Sequence, residues 1–338
     1  MEIRKVQITG GSSYVVSLPK EWATSMRIKK NDPLGLVAQN DGTLLITTKL
    51  SGETAHRTKL FRVGRSTNPE LFFRCLIAAY ITGYTTITVA STGRIPPAVR
   101  IAVRDFTRIA IGQEVGEESD ASITIKDLLN PVEMPFDSTL QRMYIIVRGM
   151  HEDAIIGLKA GNRVLAEDVI ARDNDVDRLQ WLIARQYRLI MSDGSLAKRM
   201  GVSTGTATNY LMISRIIERI GDHAVNIAKN SIPLFCEEPD ASLIVDIESA
   251  SRVALAIYDA SIRSLFKKDI VEANGSILAV QTLAVQCEEI SHTALRQKTA
   301  IAVSVGYIAE SIRRLGEYSK DISENVINDL VSEEAEMR

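Results

Sequence analysis

Hydrophobic and polar positions change their period twice along this chain. Over the first fifty residues the period is that of strands: Ile3, Lys5 and Gln7 alternate with Arg4, Val6 and Ile8, and Gly10-Gly11 break the run. Tyr14 to Leu18 predicts a second strand ending at Pro19, and Lys20 to Met26 a short helical turn. Leu34 to Ala38 and Thr43 to Thr47 predict a hairpin closed by Asn40-Asp41-Gly42. So small a strand unit buries little surface by itself, and a swapped or intertwined dimer is the expected remedy.

A polar stretch, residues 51–58, then reads as a linker. Beyond it the period is mixed. Leu60 to Val63 predicts a strand, and Asn68-Pro69-Glu70 opens a helix that ends at Gly83 with cap, first-turn proline and acidic residue in favourable order. Thr85 to Ala90 predicts a strand, Pro97 to Ile111 a helix, and Glu114 to Glu118 with Ser122 to Lys126 a strand pair, which together make a small α+β domain over residues 59–130.

From Phe136 onward the helical period takes over. Helices are expected over Ser138 to Leu158, Leu165 to Met191 and Thr208 to Asn230. After a break at Pro233 to Ser242 they follow over Ile244 to Phe266, Ile270 to Leu295 and Thr299 to Leu330. The order repeats, so two tandem three-helix units are predicted, residues 136–235 and 242–331. At residue level Glu218-Arg219-Ile220-Gly221-Asp222 aligns with Arg313-Arg314-Leu315-Gly316-Glu317. Asp168-Val169-Ile170 aligns with Asp269-Ile270-Val271, which sets Asp173 and Asp177 against Asn274 and Leu278. Residues 195–208 have a helix-turn-helix look, but their second helix runs straight into a long bundle helix, so a connector is expected. The ending Glu333-Glu334-Ala335-Glu336 reads as a solvated tail.

Composition narrows the picture further. With 40 Lys and Arg against 42 Asp and Glu, overall charge selects no partner, so its distribution has to. Three scattered cysteines without a CxxC suggest neither disulfides nor a zinc knuckle, and a reducing cytoplasm is the expected setting. No apolar run is long enough to span a bilayer, so membrane insertion is not expected. No nucleophile–base pair, phosphate loop, dinucleotide fingerprint or HExxH occurs, and the chain is read as a non-enzyme. Arg94, Arg100, Arg104 and Arg108 include helical neighbours that suit an anion or, more commonly, make a solvated face.

The charged positions within the helical half carry more. In Arg215 to Ala228 the residues Ile216, Ile217, Ile220, Ala224, Ile227 and Ala228 form a buried stripe, while Glu218 and Asp222 stand one turn apart on another face. Two like charges at that spacing repel, and a nearby cation relieves them. The cation is either an arginine, Arg215, Arg219, Arg172 or Arg178, or a metal ion with oxygen ligands. The string ERIGDHAVNIA resembles the signature of the PhoU family, helical regulators of phosphate uptake, and tandem three-helix units over residues 136–330 fit that resemblance. It implies that the acidic pairs Asp173 with Asp177 and Glu218 with Asp222 line a metal-bearing face, for a divalent or iron-type ion on the first unit. In the second unit only Glu317 keeps its acidity, so at most one metal-competent unit per chain is expected.

Residues 3–48, in the order strand, Gly loop, strand, Leu-Pro-Lys, short helix, Asp-Pro, strand, Asp-Gly, strand, resemble the AbrB/SpoVT family of dimeric DNA-binding barrels. Arg4, Lys5, Lys20, Arg27, Lys29, Lys30 and Lys49 outnumber Glu2, Glu21, Asp32 and Asp41, giving about +3 per copy, enough to attract a phosphate backbone. Val15, Ala23 and Thr24 stand where bacterial members of that family carry arginines, which favours backbone over base contacts.

The chain is therefore expected to be multidomain and mainly α. It combines a swapped-hairpin barrel over residues 1–50 with the α+β domain and the two PhoU-like units, a fusion that resembles archaeal PhoU-related regulators. The resemblance implies a homodimer that binds DNA and responds to phosphate status. The alternative is an adaptor for a phosphate ABC transporter or a sensor kinase, with the barrel serving only to oligomerise.

Overall fold

A computed structural model of the chain describes residues 2–38, 42–48, 57–237 and 239–332. The 51–58 linker up to His56, Lys49, the tip Asn40-Asp41 and the Glu333 to Glu336 tail lie outside the described residues. The chain separates into two compact units, Met1–His56 and Arg57–Arg338.

In the first unit β1 (Gln7–Thr9) pairs with β2 (Ser13–Val15), and β3 (Gly35–Ala38) with β4 (Leu44–Thr47), both antiparallel. The short helix α1 (Lys20–Ser25) lies between the two pairs. Val37 aside, none of the residues described between 2 and 48 is buried, and large apolar side chains stand in solvent, Tyr14 at 78% and Leu36 at 65% of full exposure. An apolar strand unit this open has no core of its own.

The second unit begins with β5 (Thr58–Arg62), α2 (Pro69–Thr82), β6 (Thr86–Ala90), α3 (Pro97–Ile109), β7 (Gln113–Glu118) and β8 (Ser122–Asp127). Asn68 caps α2 by accepting from Leu71 N, and Gly83 ends it at φ 92°, a conformation that favours glycine. The sheet order is β5-β6-β8-β7, with β5 and β6 parallel and β8 antiparallel to both its neighbours. Alternation buries Ile87, Val89, Ile123 and Ile125 on one face against Phe72, Leu76, Val99, Val103 and Phe106 of the two helices.

The rest is helical: α4 (Phe136–Ala160), α5 (Arg163–Ser192), α6 (Gly194–Met200), α7 (Thr204–Leu234), α8 (Ala241–Lys267), α9 (Ile270–Ala294) and α10 (Thr299–Ser332). All seven contribute to one continuous core. The short α6, with Leu196 and Ala197 buried in that core, leads directly into α7, as a connector would. No helix among the described residues is long and apolar enough to cross a membrane.

The two triplets face each other across paired contacts. His223 of α7 and Tyr318 of α10 place their rings 5.6 Å apart, and Tyr144 of α4 and Tyr258 of α8 meet edge to face at 5.2 Å. Beside the second pair, His151 Nε2 lies 2.9 Å from Ser251 Oγ, and burial pushes the His151 imidazole down to about 4.

The repeat register differs from the one read in the sequence. Asn162 caps α5 and Asp269 caps α9, so these two are equivalent. A Cβ on Gly221 would lie 3.6 Å from Val176, and one on Gly316 would run into Leu283, which makes Leu283 the counterpart of Val176. Asp173 and Asp177 therefore correspond to Val280 and Ala284, not to Asn274 and Leu278. The aligned Asp-Val-Ile and Asp-Ile-Val strings were misleading because Asp269 is a helix cap, while Asp168 already lies within α5. The glycines also differ in their tolerance. Gly316→Ala should cost about 1–2 kcal/mol by pressing on the buried Leu283. Gly221→Ala meets nearly ordinary contacts and should be neutral, or stabilising by up to about 1 kcal/mol through helix propensity. Urea denaturation of the two variants checks the ranking.

Candidate functional site

Along α5 the buried Val169, Val176 and Leu179 turn inward, which leaves Asp173 and Asp177 on the side facing α7. Along α7 the buried Ile217, Ile220, Gly221 and Ala224 do the same for Glu218 and Asp222. Gly221 packs against Val147 of α4 and Val176 of α5, and the four carboxylates lie on the facing sides of α5 and α7 near enough to repel one another.

Their electrostatics are those of an unrelieved acidic cluster. Burial, then Asp173, Glu218 and Asp222, push the Asp177 carboxyl up to about 7, with Arg215 opposing. Burial and the neighbouring acids raise Glu218 and Asp222 as well, and burial raises Asp173. Among the described residues none of the four has an ion-pair partner. The arginines weighed as partners are engaged elsewhere or stand off. Arg172 binds Asp153 at 2.5 Å and Asp168 at 3.0 Å, Arg178 lies 3.6 Å from Asp175, and Arg219 lies over the Tyr318 ring. Lys229, which eases Asp173 and Asp222, escaped the sequence reading although it stands two turns beyond Asp222 on the same face.

In the second triplet the matching surface is neutralised from within. Arg313 binds Glu310 at 2.8 Å and also Glu317, and Arg314 binds both acids at 2.9 Å. Val280 and Ala284 supply no charge. The contrast isolates the first triplet as the one with uncompensated acid. All-oxygen, half-buried carboxylates, eased by Arg215, Arg219 and Lys229 without an ion pair among the described residues, suit a hard metal ion in kind. As the side chains lie, no three His, Cys, Asp or Glu among the described residues are arranged to hold one, so binding requires the carboxylates to swing together.

The basic candidates of the first unit, Arg4, Lys5, Lys20, Arg27, Lys29 and Lys30, are all exposed, and Arg4 is drawn to Glu2. In the α+β domain Arg100 is tied to Glu118 and to the Ser119 and Asp120 carbonyls, and Arg94 lies 3.7 Å from Asp120. The arginine row is thus partly consumed by the fold.

The C-terminal half of α5 has a role that periodicity did not reveal. Arg185 is fully buried and reaches from the bundle into the α+β domain, where it binds Asp127, the Tyr80 carbonyl and, at 3.2 Å, the Tyr84 carbonyl. Asp127 also accepts from Gln113 at 2.9 Å and from Leu129 N at 3.2 Å. Beside Arg185, Gln186 donates to the Pro131 and Met134 carbonyls. One helix therefore carries two members of the acidic cluster in its first half and the seat of the α+β domain in its second.

Comparison with known proteins matches two separate stretches of the chain. A family described as the PhoU domain matches residues 140–231, and one described as antidote-toxin recognition MazE, bacterial antitoxin, matches residues 7–54. The phosphate-specific transport system accessory protein PhoU homolog of Caulobacter vibrioides (strain NA1000 / CB15N) is 26% identical over 200 residues, 57% of this chain and 85% of that one. The homolog from Aquifex aeolicus is 31% identical over 141 residues, 40% of this chain and 60% of its own. The crystal structure of PhoU from Pseudomonas aeruginosa superposes with a TM-score of 0.52 at 16% identity, over 59% of this chain and 96% of that one. The chain carries a PhoU domain behind an N-terminal domain of the MazE/AbrB antitoxin type.

Proposed function

We propose that this chain is a cytoplasmic, non-enzymatic regulator of phosphate uptake that responds to phosphate status, sensing through its PhoU-type bundle and binding DNA through paired N-terminal domains. The observation that carries the reading is the union in one chain of a MazE-type domain and a PhoU domain with four unpaired carboxylates. The open apolar strands of residues 2–48 support pairing of two copies, since a second copy is the nearest source of matching surface.

In this mechanism Asp173, Asp177, Glu218 and Asp222 would hold a divalent or iron-type cation, which when bound supplies the positive charge the cluster lacks. What the chain itself does is position α5 against α7: the two helices are packed at Gly221, and the mutual repulsion of the carboxylates beside that contact is what a bound cation would relieve, shifting α5 against α7. Because Arg185 and Trp181 on the same helix seat the α+β domain, a shift of α5 reaches the domain that follows the N-terminal unit in the chain.

A gel shift over a range of salt concentrations tests the output. Promoter DNA of phosphate-uptake genes should be bound, with affinity falling steeply as salt rises. Replacing Arg4 and Lys5 with alanine removes four charges from a dimer and should flatten the slope of log K against log salt by about 3–4. Absence of any shift even at low salt removes the DNA role.

The match to an antitoxin family described by toxin recognition favours a second reading, in which the N-terminal domain meets protein. The chain then acts as an adaptor on a phosphate ABC transporter or a sensor kinase. Under that reading the Arg4 and Lys5 double substitution leaves regulation of phosphate uptake unchanged, whereas the DNA reading predicts its loss.

A further inference from the structure

Helix α9 is apolar on its outer side as well as its inner one. Ala273, Ser276, Leu283, Cys287 and Ile290 are buried in the bundle, while Val271, Leu278 and Val285 stand 74%, 68% and 46% exposed on the other side. Seven residues are two turns, so these three side chains form a single file along the helix. Asn274, Gly275, Gln281 and Thr282 flank them, all exposed and uncharged. Over Ala273 to Cys287 the helix has no charged residue, whereas the matching stretch of α5, Ala166 to Gln180, has seven. In the register set by Val176 and Leu283, Leu278 stands for Ala171, Thr282 for Asp175 and Val285 for Arg178. A surface helix stripped of charge on both sides is suited to burial on both.

A file of large apolar side chains at seven-residue spacing is matched by a second helix with the same spacing, and α9 itself supplies one. Val271 and Val285 lie equally far from Leu278, so a two-fold axis at Leu278 brings a second α9 alongside, running the other way. Leu278 then meets Leu278, Val271 meets Val285, Asn274 meets Thr282 and Gly275 meets Gln281 of the other copy, with no charge opposite a charge. The ends favour this orientation. Arg263 binds Glu272 at 2.6 Å, which fixes how α8 lies against α9 and leaves the exposed Lys267, about one turn on, level with the start of α9. Glu289 stands eleven residues beyond Leu278, about 16 Å along the axis, and so reaches the level of Lys267 and the positive end of α9 in the other copy. Among the described residues Lys267, Glu288 and Glu289 have no ion-pair partner in their own chain. A parallel pair would instead set Glu288 and Glu289 against themselves. An anionic lipid surface or a nucleic acid would meet the same acids and be repelled.

We infer that the outer face of α9 is an isologous interface, packed antiparallel on the α9 of a second copy of this chain about a two-fold axis at Leu278. Gly275 has nothing within 4 Å of the place its Cβ would take, so the Gln281 side chain of the other copy has room there. The contact lies in the compact unit Arg57–Arg338 and does not rest on pairing of the N-terminal unit.

Single cysteines in the full-length chain read the register, with Cys75→Ser and Cys236→Ser removing the thiols that are not buried. Under mild oxidation at raised protein concentration Leu278→Cys should cross-link to itself, since a disulfide needs Cα atoms within about 7 Å. Val271→Cys and Val285→Cys should each stay uncrosslinked alone and should cross-link to one another when mixed. Leu278→Glu added to both members of that mixture sets two carboxylates on the axis and should lower the yield at least about tenfold. Leu278→Glu in one member and Leu278→Lys in the other should restore it. All three positions are exposed, and circular dichroism melts establish that each variant is folded. Val271→Cys and Val285→Cys each cross-linking to itself, as parallel helices require, overturns the inference. So does the absence of both expected cross-links, which leaves a different protein as the cover. The pattern should persist with Tyr14→Asp and Val16→Asp, which place charge in the open N-terminal strands; a pattern that disappears there follows N-terminal pairing and overturns the inference as well.

Discussion

Arg185→Ala is expected to destabilise the protein by about 3–5 kcal/mol, the usual result of removing one partner from a buried ion pair. The guanidinium and the Asp127 carboxylate are both almost entirely out of water, and two backbone carbonyls, of Tyr80 and Tyr84, share the same donor. Without it the Tyr84 carbonyl loses this donor, the Tyr80 carbonyl keeps only Gly83 N at 3.0 Å, and the carboxylate loses the charge that offsets its desolvation. Burial already pushes the Asp127 carboxyl up despite Arg185 beside it. The variant should therefore take up a proton at Asp127, which caps the loss. Asp127→Asn should be no milder: the amide oxygen still accepts from Gln113 and Leu129 N, but the buried guanidinium, which keeps its proton, is left without a counter-charge. Urea denaturation gives the size of the effect, and hydrogen exchange gives its place. Amides of β6 and β8 should lose protection before those of α7 and α10. A loss below about 1 kcal/mol for Arg185→Ala contradicts this account of the joint between the α+β domain and the bundle.

The acidic cluster should respond in opposite senses to the loss of charge and to the gain of a cation. Asp177→Asn removes the carboxylate that its three acidic neighbours oppose most, and in chelator near pH 8 it should stabilise the protein by about 1 kcal/mol after allowance for solvent screening. The sign follows from the raised acid: above the ordinary carboxylate range the folded state holds its proton more tightly, so ionisation disfavours folding and a neutral amide spares that cost. Addition of a divalent or iron-type cation should instead stabilise the unaltered protein, by about 2.7 kcal/mol at a hundredfold excess over Kd. The variant Asp177→Asn with Asp222→Asn should lose that gain. Thermal melts with and without cation read both effects, and metal analysis of the purified proteins gives the occupancy. A cation that stabilises the variant as strongly as the unaltered protein acts elsewhere.

Much of the fold was legible because its elements announce themselves locally. Asn68-Pro69 and Gly83 bound α2 as their cap chemistry demands, while the break expected over Pro233 to Ser242 is shorter, since α7 runs through Pro233 to Leu234 and α8 starts at Ala241. The 3.6-residue period of the bundle survives because each helix buries one stripe. The register of the repeat was not legible. Similar strings at Asp168 and Asp269 compete with a true equivalence, Asn162 with Asp269, that only cap geometry and the Gly221–Val176 and Gly316–Leu283 contacts reveal.

At the site, spacing put Glu218 with Asp222 on one helix face, and the PhoU resemblance added Asp173 with Asp177. It could not say whether arginines would reach them. Arg172 and Arg178 had nearer acids, Asp153, Asp168 and Asp175, and proximity across the bundle decided the competition. Arg185 was unreadable for the opposite reason. A buried arginine in a helix looks like any surface arginine until its partner, Asp127, is placed beside it by a sheet nearly sixty residues earlier.

The most direct measurement of the central claim is fluorescence anisotropy of labelled phosphate-uptake promoter DNA. The full-length protein and its four-carboxylate variant (Asp173→Asn, Asp177→Asn, Glu218→Gln, Asp222→Asn) are titrated across salt, with and without cation. The account predicts salt-dependent binding whose affinity changes on adding cation for the unaltered protein and stays constant for the variant. Binding that the cation shifts equally in both proteins contradicts a sensing role for the acidic cluster. No binding at low salt contradicts the N-terminal domain as the output on DNA.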